Sequence, residues 1–332
     1  MKRILTGDTP TGKLHLGHFV GTLENRAKLQ NEYEMFILFA DTHALTTLSS
    51  SPKVISEYTR EVLLDNLSVG LDPKNVTFFS ESAIPQIYEI AAIFSMYVSH
   101  NRALRNPTIK DEIISKGLGD QFSLGFINYP IYQAADILCV KGQLVPVGKD
   151  QEAHLEQTRE IAREINKLTG SDTFPEPEAL IGRVGKLVGT DGNPKMGKSL
   201  NNTIYLSDSR EEVERRVMNM YTDPKRIHPT DPGTVEGNPV FVYLDTFASE
   251  KDRDKIEDYK DKYKKGEVGD VEVKKFLVNV LNDFLDPIRE RRERYEKQPD
   301  LIASILDEGN SKVRKISTET LEELKHKLGF AF

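Results

Sequence analysis

A turn-rich stretch near the start of the chain, from Gly7 to His18, constrains most strongly what this sequence can fold into. It follows the apolar pair Ile4-Leu5 and precedes a helical pattern, so the sequence predicts a strand, a sharp turn and then a helix. His15 and His18 are three residues apart, and at the start of a helix their imidazoles would project from one face. A helix N-terminus with outward-pointing N–H groups suits a phosphate, to which imidazoles can also donate. The stretch matches neither the dinucleotide fingerprint G-x-G-x-x-G nor the phosphate-binding loop G-x-x-x-x-G-K-[ST].

A second distinctive stretch lies far downstream, at Lys195-Met196-Gly197-Lys198-Ser199, after the turn-forming residues Gly189 to Pro194. Two lysines three residues apart in a glycine-bearing loop form a mobile, doubly cationic arm. Taken alone, such a loop is typical of solvated protein surface. Its interpretation therefore depends on the first stretch.

Together the two stretches resemble the HIGH and KMSKS signatures of class I aminoacyl-tRNA synthetases, here written HLGH and KMGKS. The pair is far more specific than either half, and the resemblance runs the length of the chain, most closely to the tryptophanyl members of the class. It implies an enzyme that activates L-tryptophan with ATP, giving tryptophanyl-adenylate, and transfers the aminoacyl group to tRNA(Trp). Gly197 stands where the family usually has serine, which removes one possible phosphate donor while both lysines remain.

Buried strands alternate with helices through the first half of the chain. The apolar run from Met35 to Ala40 is typical of a strand buried on both faces of a parallel sheet, and Asn75 to Phe79 gives a further strand. This alternation predicts an α/β fold with a Rossmann-like, doubly wound parallel sheet. From about Ser207 onward, strand signals nearly vanish and long charged helices follow, so an all-helical C-terminal domain is expected.

The change in composition gives the domain division. We predict a Rossmann-like catalytic domain over residues 1–190, with an insertion or dimer region at about 101–128, and a KMGKS loop over 191–206. The remaining residues, 207–332, form the helical domain, which in the resembled family binds the anticodon. Its arginine cluster alternates with glutamates, which favours an exposed, salt-bridged helix. The cluster consists of Arg289, Arg291, Arg292 and Arg294.

Amino-acid activation places definite demands on the ATP site. The amino-acid carboxylate attacks the α-phosphorus and pyrophosphate leaves, so the protein must align the reactants and neutralise phosphate charge rather than supply a nucleophile. The catalytic residues predicted for this step are His15, His18, Lys195 and Lys198. The resemblance extends the ATP site to Thr9, Pro10, Thr11, Gly17, His18, Gly148, Lys149, Asp150, Val184, Lys195, Met196, Gly197, Lys198 and Ser199. It also implies Mg²⁺, which enters with ATP and bridges its phosphates.

The resemblance places a tryptophan pocket at Leu5, His43, Tyr129, Gln133, Asp136, Val145, Val147 and Gln151. Specificity depends on Asp136, because in tryptophanyl enzymes the aligned Asp accepts the indole N–H. A buried acceptor left unpaired costs about 1–3 kcal/mol, so such a pocket rejects phenylalanine. Interpreted without the family, a carboxylate in a helix with apolar neighbours is more often a cap or an ion-pair partner.

Tyrosyl enzymes share the spacing of Tyr129, Gln133 and Asp136, so a tyrosine–tRNA ligase of the same fold is the nearest rival function. Those enzymes usually carry a tyrosine where this chain has Leu5, and an apolar side chain there favours the larger indole. Gln133 departs from the methionine of many tryptophanyl enzymes. Two further functions are compatible with parts of the sequence: a nucleotidyltransferase with an H-x-G-H turn, and a non-catalytic synthetase paralogue.

Composition narrows the remaining functional classes. The chain has 332 residues and a formal net charge of −7, so contact with tRNA must be local rather than through a uniformly basic surface. Its single cysteine, Cys139, cannot form a disulfide framework or a cysteine-based zinc or iron–sulfur site. With no signal peptide and no apolar run of about 18 residues, the sequence predicts a soluble cytoplasmic protein. The resemblance adds a homodimer, with ATP, L-tryptophan and tRNA(Trp) as partners.

Overall fold

The computed structural model describes residues 1–115, 117, 119, 121–146, 152–180, 187–194, 196–224, 226–228 and 230–330. Within them the strands are β1 (Arg3–Asp8), β2 (Glu34–Phe39), β3 (Val76–Ser80), β4 (Leu144–Pro146) and β5 (Glu178–Leu180). The α-helices are α1 (Leu16–His18), α2 (Glu24–Leu29), α3 (Leu45–Leu48), α4 (Ile55–Ser68), α5 (Pro85–Ser95), α6 (His100–Leu104), α7 (Pro107–Ser115), α8 (Leu124–Cys139), α9 (Glu152–Thr169), α10 (Arg210–Met218), α11 (Pro239–Phe247), α12 (Arg253–Lys265), α13 (Asp270–Glu296) and α14 (Pro299–Lys327). Short 3-10 helices lie at Pro52–Val54, Glu81–Ala83, Lys198–Leu200 and Glu250–Asp252, and a π-helical turn lies at Phe19–Leu23.

These five strands form a parallel sheet in the order β3-β2-β1-β4-β5. The order reverses between β1 and β4, which makes the sheet doubly wound with its switch point there. The predicted Rossmann-like α/β fold with a helical C-terminal region is therefore confirmed. The short strand β5 is not indicated by the sequence pattern, because its three residues form a strand only by pairing with β4.

Successive side chains of the central strands point to opposite faces of the sheet, and each face packs on its own helices. On one face Met35, Ile37 and Phe39 of β2 join an apolar core that includes α4 and the helices from α10 to α13. On the other face Phe36 and Leu38 pack with α5, α8 and α9. Since both faces are buried, β2 must be a continuous apolar run, which is why the sequence predicts it so clearly.

The last helix packs directly on the sheet. Along the contact between α14 and β3, the side-chain oxygen of Asn310 accepts the backbone N–H of Ser80 at 2.9 Å. Gly309 allows this approach, because a Cβ at that position would overlap the carbonyl oxygen of Phe78. β3 is an edge strand, so α14 covers backbone that would otherwise be open to pairing. The division of the chain into domains at residues 190 and 207 stays a prediction.

The arginine cluster of α13 is not uniformly the exposed surface that the sequence favours. Arg292 is buried and donates to two carboxylates of α4, Asp65 and Glu61. Arg291 donates from Nε to a backbone carbonyl at the end of α4 at 2.5 Å. Arg289 is also only 17% exposed and donates to the Asp208 carbonyl at 3.0 Å. The prediction was wrong for these three residues because glutamate spacing along a helix cannot show which face another part of the chain covers. Arg294 is exposed, as expected.

Candidate active site

The turn from Gly7 to His18 lies at the carboxyl end of β1, beside the switch point between β1 and β4. Ligands of doubly wound sheets bind in the crevice outside the carboxyl ends of the strands at such a point. Thr9 and Thr11 are partly exposed and Pro10 is buried, with the Thr11 N–H donating to the Thr9 carbonyl at 2.9 Å. The turn therefore stands where a nucleotide can reach it.

His15 and His18 form a compact pair at the start of α1, with ring centroids 3.8 Å apart. His15 Nδ1 accepts the backbone N–H of Gly17 at 3.1 Å, and His18 Nδ1 accepts the N–H of His15 at 3.1 Å. Because each Nδ1 is an acceptor, the proton of each neutral ring is assigned to Nε2. The pair thus presents two imidazole N–H donors.

Burial lowers the pKa of both imidazoles. The pKa of His15 falls to about 2, with the charges of His18 and Lys198 acting in the same direction. The pKa of His18 falls to about 4, because burial together with Lys198 outweighs the Asp8 carboxylate, which raises it. Both rings are therefore neutral at physiological pH and can act as hydrogen-bond donors rather than as cations.

A buried ion pair fixes the end of β1. Arg26 is 2% exposed and donates to both carboxylate oxygens of Asp8, at 2.6 and 3.0 Å. Its guanidinium also donates to the Gly7 carbonyl at 2.9 Å and to the side-chain oxygen of Asn66 at 3.0 Å. The first residues of the turn are thereby held in place. Sequence reasoning missed this pair because Asp8 and Arg26 are separated by 18 positions with no periodic pattern between them.

The second motif, KMGKS, contacts the turn that contains the first. The Lys198 ammonium donates to the Gly12 carbonyl at 2.8 Å and lies 3.4 Å from Thr11 Oγ1. Burial lowers the pKa of Lys198 to about 8, against the charges of Asp65 and Asp8, which raise it. A cation is thus held at the turn, where the phosphate oxygens of a nucleotide can take the place of the carbonyl.

Asn202 holds the KMGKS loop in this position, although no sequence motif marks it. Its side-chain oxygen accepts the Gly197 N–H at 2.8 Å, and its amide donates to Asp191 at 2.9 Å. Gly197 is extended, with φ −164°, and a Cβ there would meet nothing closer than 3.9 Å. The serine usual in the family would therefore fit, so the backbone does not require this departure. Ser199 is exposed.

Gly17 and Met196 bring the two motifs into direct contact. A Cβ on Gly17 would lie 2.9 Å from Met196 Sδ and 3.0 Å from the adjacent imidazole. The backbone of residues 204–206, at the end of the loop, also pairs with the turn through the Leu16 N–H, at 2.9 Å, and the Leu14 carbonyl, at 3.1 Å. The two motifs therefore form one continuous surface.

Five of the residues predicted for the tryptophan pocket lie on the sheet or on α8. Leu5 of β1 and Val145 of β4 are buried in the same apolar cluster. Tyr129, Gln133 and Asp136 follow one stripe of α8, at steps of four and three residues. The fold thus brings apolar side chains from the strands and polar side chains from the helix to the region predicted to bind tryptophan.

His43 and Tyr129 extend this group of side chains. Their ring centroids are 4.9 Å apart. The Tyr129 hydroxyl donates to Glu112 at 3.1 Å and lies 2.8 Å from Nε2 of His154, which is fully buried. No motif pointed to His154, which the fold brings to Tyr129 from the neighbouring helix α9.

Three carboxylates, those of Asp136, Glu81 and Asp41, influence one another in the same region. Asp136 is 6% exposed, and among the described residues its Oδ1 has no hydrogen-bond partner. Burial, followed by the charges of Glu81 and Asp41, raises the pKa of Asp136 well above its usual value. Glu81 accepts the His43 N–H at 3.1 Å, and burial with the charge of Asp41 raises its pKa to about 7. A buried acceptor without a partner favours a donor supplied by a ligand.

Some predicted site residues lie outside the part of the chain that the structure describes, namely Val147, Gly148, Lys149, Asp150, Gln151, Val184 and Lys195. The side chains that it does describe contain no group of three or more His, Cys, Asp or Glu placed to hold a metal ion. Among the same residues, no helix combines the length and apolar character needed to cross a bilayer.

Comparison with known proteins identifies the family. The profile of the tRNA synthetases class I (W and Y) matches residues 1–286, so the chain belongs to this family and the resemblance carried by the two motifs is confirmed. A curated tryptophan–tRNA ligase of Streptococcus pyogenes serotype M3 is 48% identical over 334 residues, which cover 99% of this chain and 98% of that protein. The crystal structure of a tryptophanyl-tRNA synthetase from Campylobacter jejuni, complexed with ADP and tryptophan, is 32% identical with a TM-score of 0.87 and covers 98% of this chain and 99% of its own. A tyrosyl-tRNA synthetase from Archaeoglobus fulgidus, 24% identical with a TM-score of 0.66 over 88% of this chain and 90% of its own, shares the fold.

Proposed function

We propose that this protein is a tryptophan–tRNA ligase, which activates L-tryptophan with ATP and transfers it to tRNA(Trp). The observation that carries the proposal is the joining of the two motifs, with the Lys198 ammonium 2.8 Å from the Gly12 carbonyl beside two neutral histidines. This arrangement supplies hydrogen-bond donors and a positive charge at one point. Similarity to a curated tryptophan–tRNA ligase over almost the whole chain supports the same activity.

In the first step the tryptophan carboxylate attacks the α-phosphorus of ATP, the bond to the bridging oxygen breaks, and pyrophosphate leaves. His15 and His18 donate from Nε2 to phosphate oxygens, while Lys198 and Lys195 balance the charge that develops on the pyrophosphate. The histidines need little rearrangement for this, because backbone N–H groups already fix both rings. Mg²⁺ belongs to the substrate, since it is held mainly by phosphates and water and adds charge neutralisation.

In the second step a hydroxyl of the terminal tRNA ribose attacks the carbonyl of the adenylate, and AMP leaves. The helical region after residue 207 is proposed to contact the anticodon, where phosphates give affinity and unstacked bases give specificity. A cytoplasmic location belongs to the same proposal, because charged tRNA is used where translation takes place.

Asp136 is proposed to select tryptophan. Its Oδ1, which has no hydrogen-bond partner in the described part of the chain, can accept the indole N–H, whereas phenylalanine would leave it unpaired at a cost of about 1–3 kcal/mol. Tyrosine also carries a donor, but Leu5 is apolar and offers its hydroxyl no partner. The fold and the row of Tyr129, Gln133 and Asp136 on α8 are thus compatible with a tyrosine–tRNA ligase. The apolar side chain of Leu5 argues against that function.

A homodimer is proposed on the basis of large apolar side chains that are exposed within and just before the predicted insertion. Met96, Ile114 and Leu124 are 79%, 78% and 78% exposed. Exposed large apolar side chains are typical of protein interfaces where they form a continuous patch. Analytical ultracentrifugation is expected to give twice the chain mass of 37.6 kDa, and a single chain mass at every concentration would contradict the dimer.

The activity is tested by charging transcripts of tRNA(Trp) and tRNA(Tyr) with labelled tryptophan or tyrosine. We expect tryptophan on tRNA(Trp) and no tyrosine on either transcript. Asp136→Ala is expected to raise KM for tryptophan about 10- to 100-fold, since a hydrogen bond to a buried acceptor is lost. Tyrosine on tRNA(Tyr) would establish the tyrosine–tRNA ligase instead, and no charging of either transcript would contradict both functions.

A further inference from the structure

Asp65 is not among the residues predicted to touch ATP, yet it contacts the turn that carries them. It lies on α4 and is fully buried. Its Oδ2 accepts the backbone N–H of Leu14 at 2.7 Å. Leu14 immediately precedes His15, so this hydrogen bond fixes the peptide from which the histidine pair begins.

The other oxygen of Asp65 is held by the C-terminal half of the chain. Arg292 of α13 donates from Nη1 to Asp65 Oδ1 at 2.5 Å and from Nη2 to Glu61 at 2.5 Å. It also donates from Nε to Glu296 at 2.7 Å. The planar guanidinium thus spans three carboxylates in a buried position, a role that a single ammonium could not fill.

The same carboxylate also acts on the second motif. Of the charges that raise the pKa of Lys198, that of Asp65 is the larger, ahead of Asp8. Burial raises the pKa of Asp65 itself to about 6, with Arg292 and the Leu14 N–H opposing the shift, so Asp65 is ionised at neutral pH. Asp65 therefore stands where α4, α13 and both ATP-binding motifs meet.

We infer that Asp65 and Arg292 are positioning residues for ATP: Arg292 fixes the Asp65 carboxylate, which fixes Leu14 and so orients the His15–His18 pair. The inference rests on the proposed function, and it names two residues that act without touching substrate. Because Arg292 belongs to α13, a displacement of that helix would be transmitted to the turn from Gly7 to His18. The helical region proposed to bind tRNA is therefore mechanically joined to the site of activation.

An isosteric substitution separates this role from simple packing. The Asp65 carboxylate uses one oxygen for Leu14 and the other for Arg292, whereas the amide of Asp65→Asn has a single oxygen acceptor. The variant keeps the volume of the side chain but must lose one of the two contacts. Arg292→Met removes the partner from the other side. Arg294→Met is the matched control, since Arg294 lies two residues further along α13 and is exposed.

The experiment measures kcat/KM for ATP in tryptophan-dependent pyrophosphate exchange and, separately, Kd for tryptophan without ATP by calorimetry. Asp65→Asn and Arg292→Met are expected to lower kcat/KM for ATP about 10- to 100-fold, the effect of misplacing reacting groups by about an ångström. Kd for tryptophan is expected to stay at the wild-type value, because that pocket is built on other elements. The double variant is expected to lose no more than either single variant, since both act on one contact.

The outcomes separate the two proposals. If Arg292→Met does not fold, which a thermal scan will show, Asp65→Asn decides the question alone. The inference is overturned if Asp65→Asn and the control Arg294→Met have the same kcat/KM for ATP. It is also overturned if the affinity of Asp65→Asn for tryptophan falls by the same factor as its kcat/KM for ATP. Absence of tryptophan-dependent exchange in the wild-type protein would instead contradict the proposed function.

Discussion

The contribution of Lys198 to ATP binding depends both on where its ammonium group lies and on whether that group is charged. Burial lowers its pKa to about 8 against the charges of Asp65 and Asp8, so it is a cation at neutral pH and becomes neutral as pH rises through that value. A neutral amine cannot balance phosphate charge. We therefore predict that kcat/KM for ATP, which reports on the free enzyme, falls as pH rises above about 8. Pyrophosphate exchange at saturating tryptophan, measured from neutral to alkaline pH, checks this.

Lys198→Arg is the matched control, because a guanidinium stays charged across the whole range. Its rate is expected to be lower at every pH, since the larger planar group does not reproduce the 2.8 Å contact of Lys198 with Gly12. The alkaline fall is expected to disappear. The same fall in both proteins would show that a different group, or the substrate, is titrating.

The sequence indicated that His15, His18 and Lys198 belong to one site, and the fold does bring them to the same turn, but their protonation states could not be predicted. Spacing indicated that His15 and His18 share a face, whereas the burial that keeps both neutral exists only in the folded turn. Two hydrogen bonds of the site could not be predicted from the sequence either. Glu81 meets the His43 N–H across 38 positions, and Asn202 contacts Gly197 through an irregular loop, so neither leaves a local pattern.

Helix α14 depends on one residue for its close contact with the sheet. At Gly309 a Cβ would overlap the Phe78 carbonyl oxygen of β3, so Gly309→Ala must displace the helix or the strand. Overpacking costs about 1–3 kcal/mol, which exceeds the gain of about 1 kcal/mol that alanine brings to a helix. We predict a lower Tm for Gly309→Ala in a thermal scan.

Gly125→Ala is the control for this prediction. Gly125 also lies in a helix, α8, but it is exposed and a Cβ there would meet only Ser123 Oγ, at 3.7 Å. Its Tm is expected to be unchanged or raised. Equal Tm values for the two variants would mean that α14 can shift away from β3 without cost.

Elements with their own apolar pattern were predictable, and those that depend on a neighbour were not. β2 is a continuous apolar run because both of its faces are buried, and the long helices after residue 207 follow from charged, helical spacing. β5 has three residues and becomes a strand only because β4 offers an edge. The burial of Arg292 on α13 likewise depends on α4, which comes from a distant part of the chain.

Across the whole molecule, the apolar core continues from the sheet into the C-terminal helices. One cluster includes Phe39 and Phe78 of the strands together with Leu277 and Leu285 of α13. Composition detects the change from alternating strands and helices to helices alone. It cannot detect that the two parts share a core, because that sharing depends on which faces meet after folding.

The measurement that tests the proposed activity most directly is amino-acid-dependent exchange of labelled pyrophosphate into ATP, with tryptophan, tyrosine and phenylalanine supplied separately and no tRNA present. It tests the proposed site as a whole, since the turn from Gly7 to His18, the KMGKS loop and Asp136 come from distant parts of the chain. We predict exchange with tryptophan and none with the other two. Exchange with tyrosine alone would contradict the interpretation of the Leu5 and Asp136 pocket, and no exchange with any of the three would contradict the proposed activity itself.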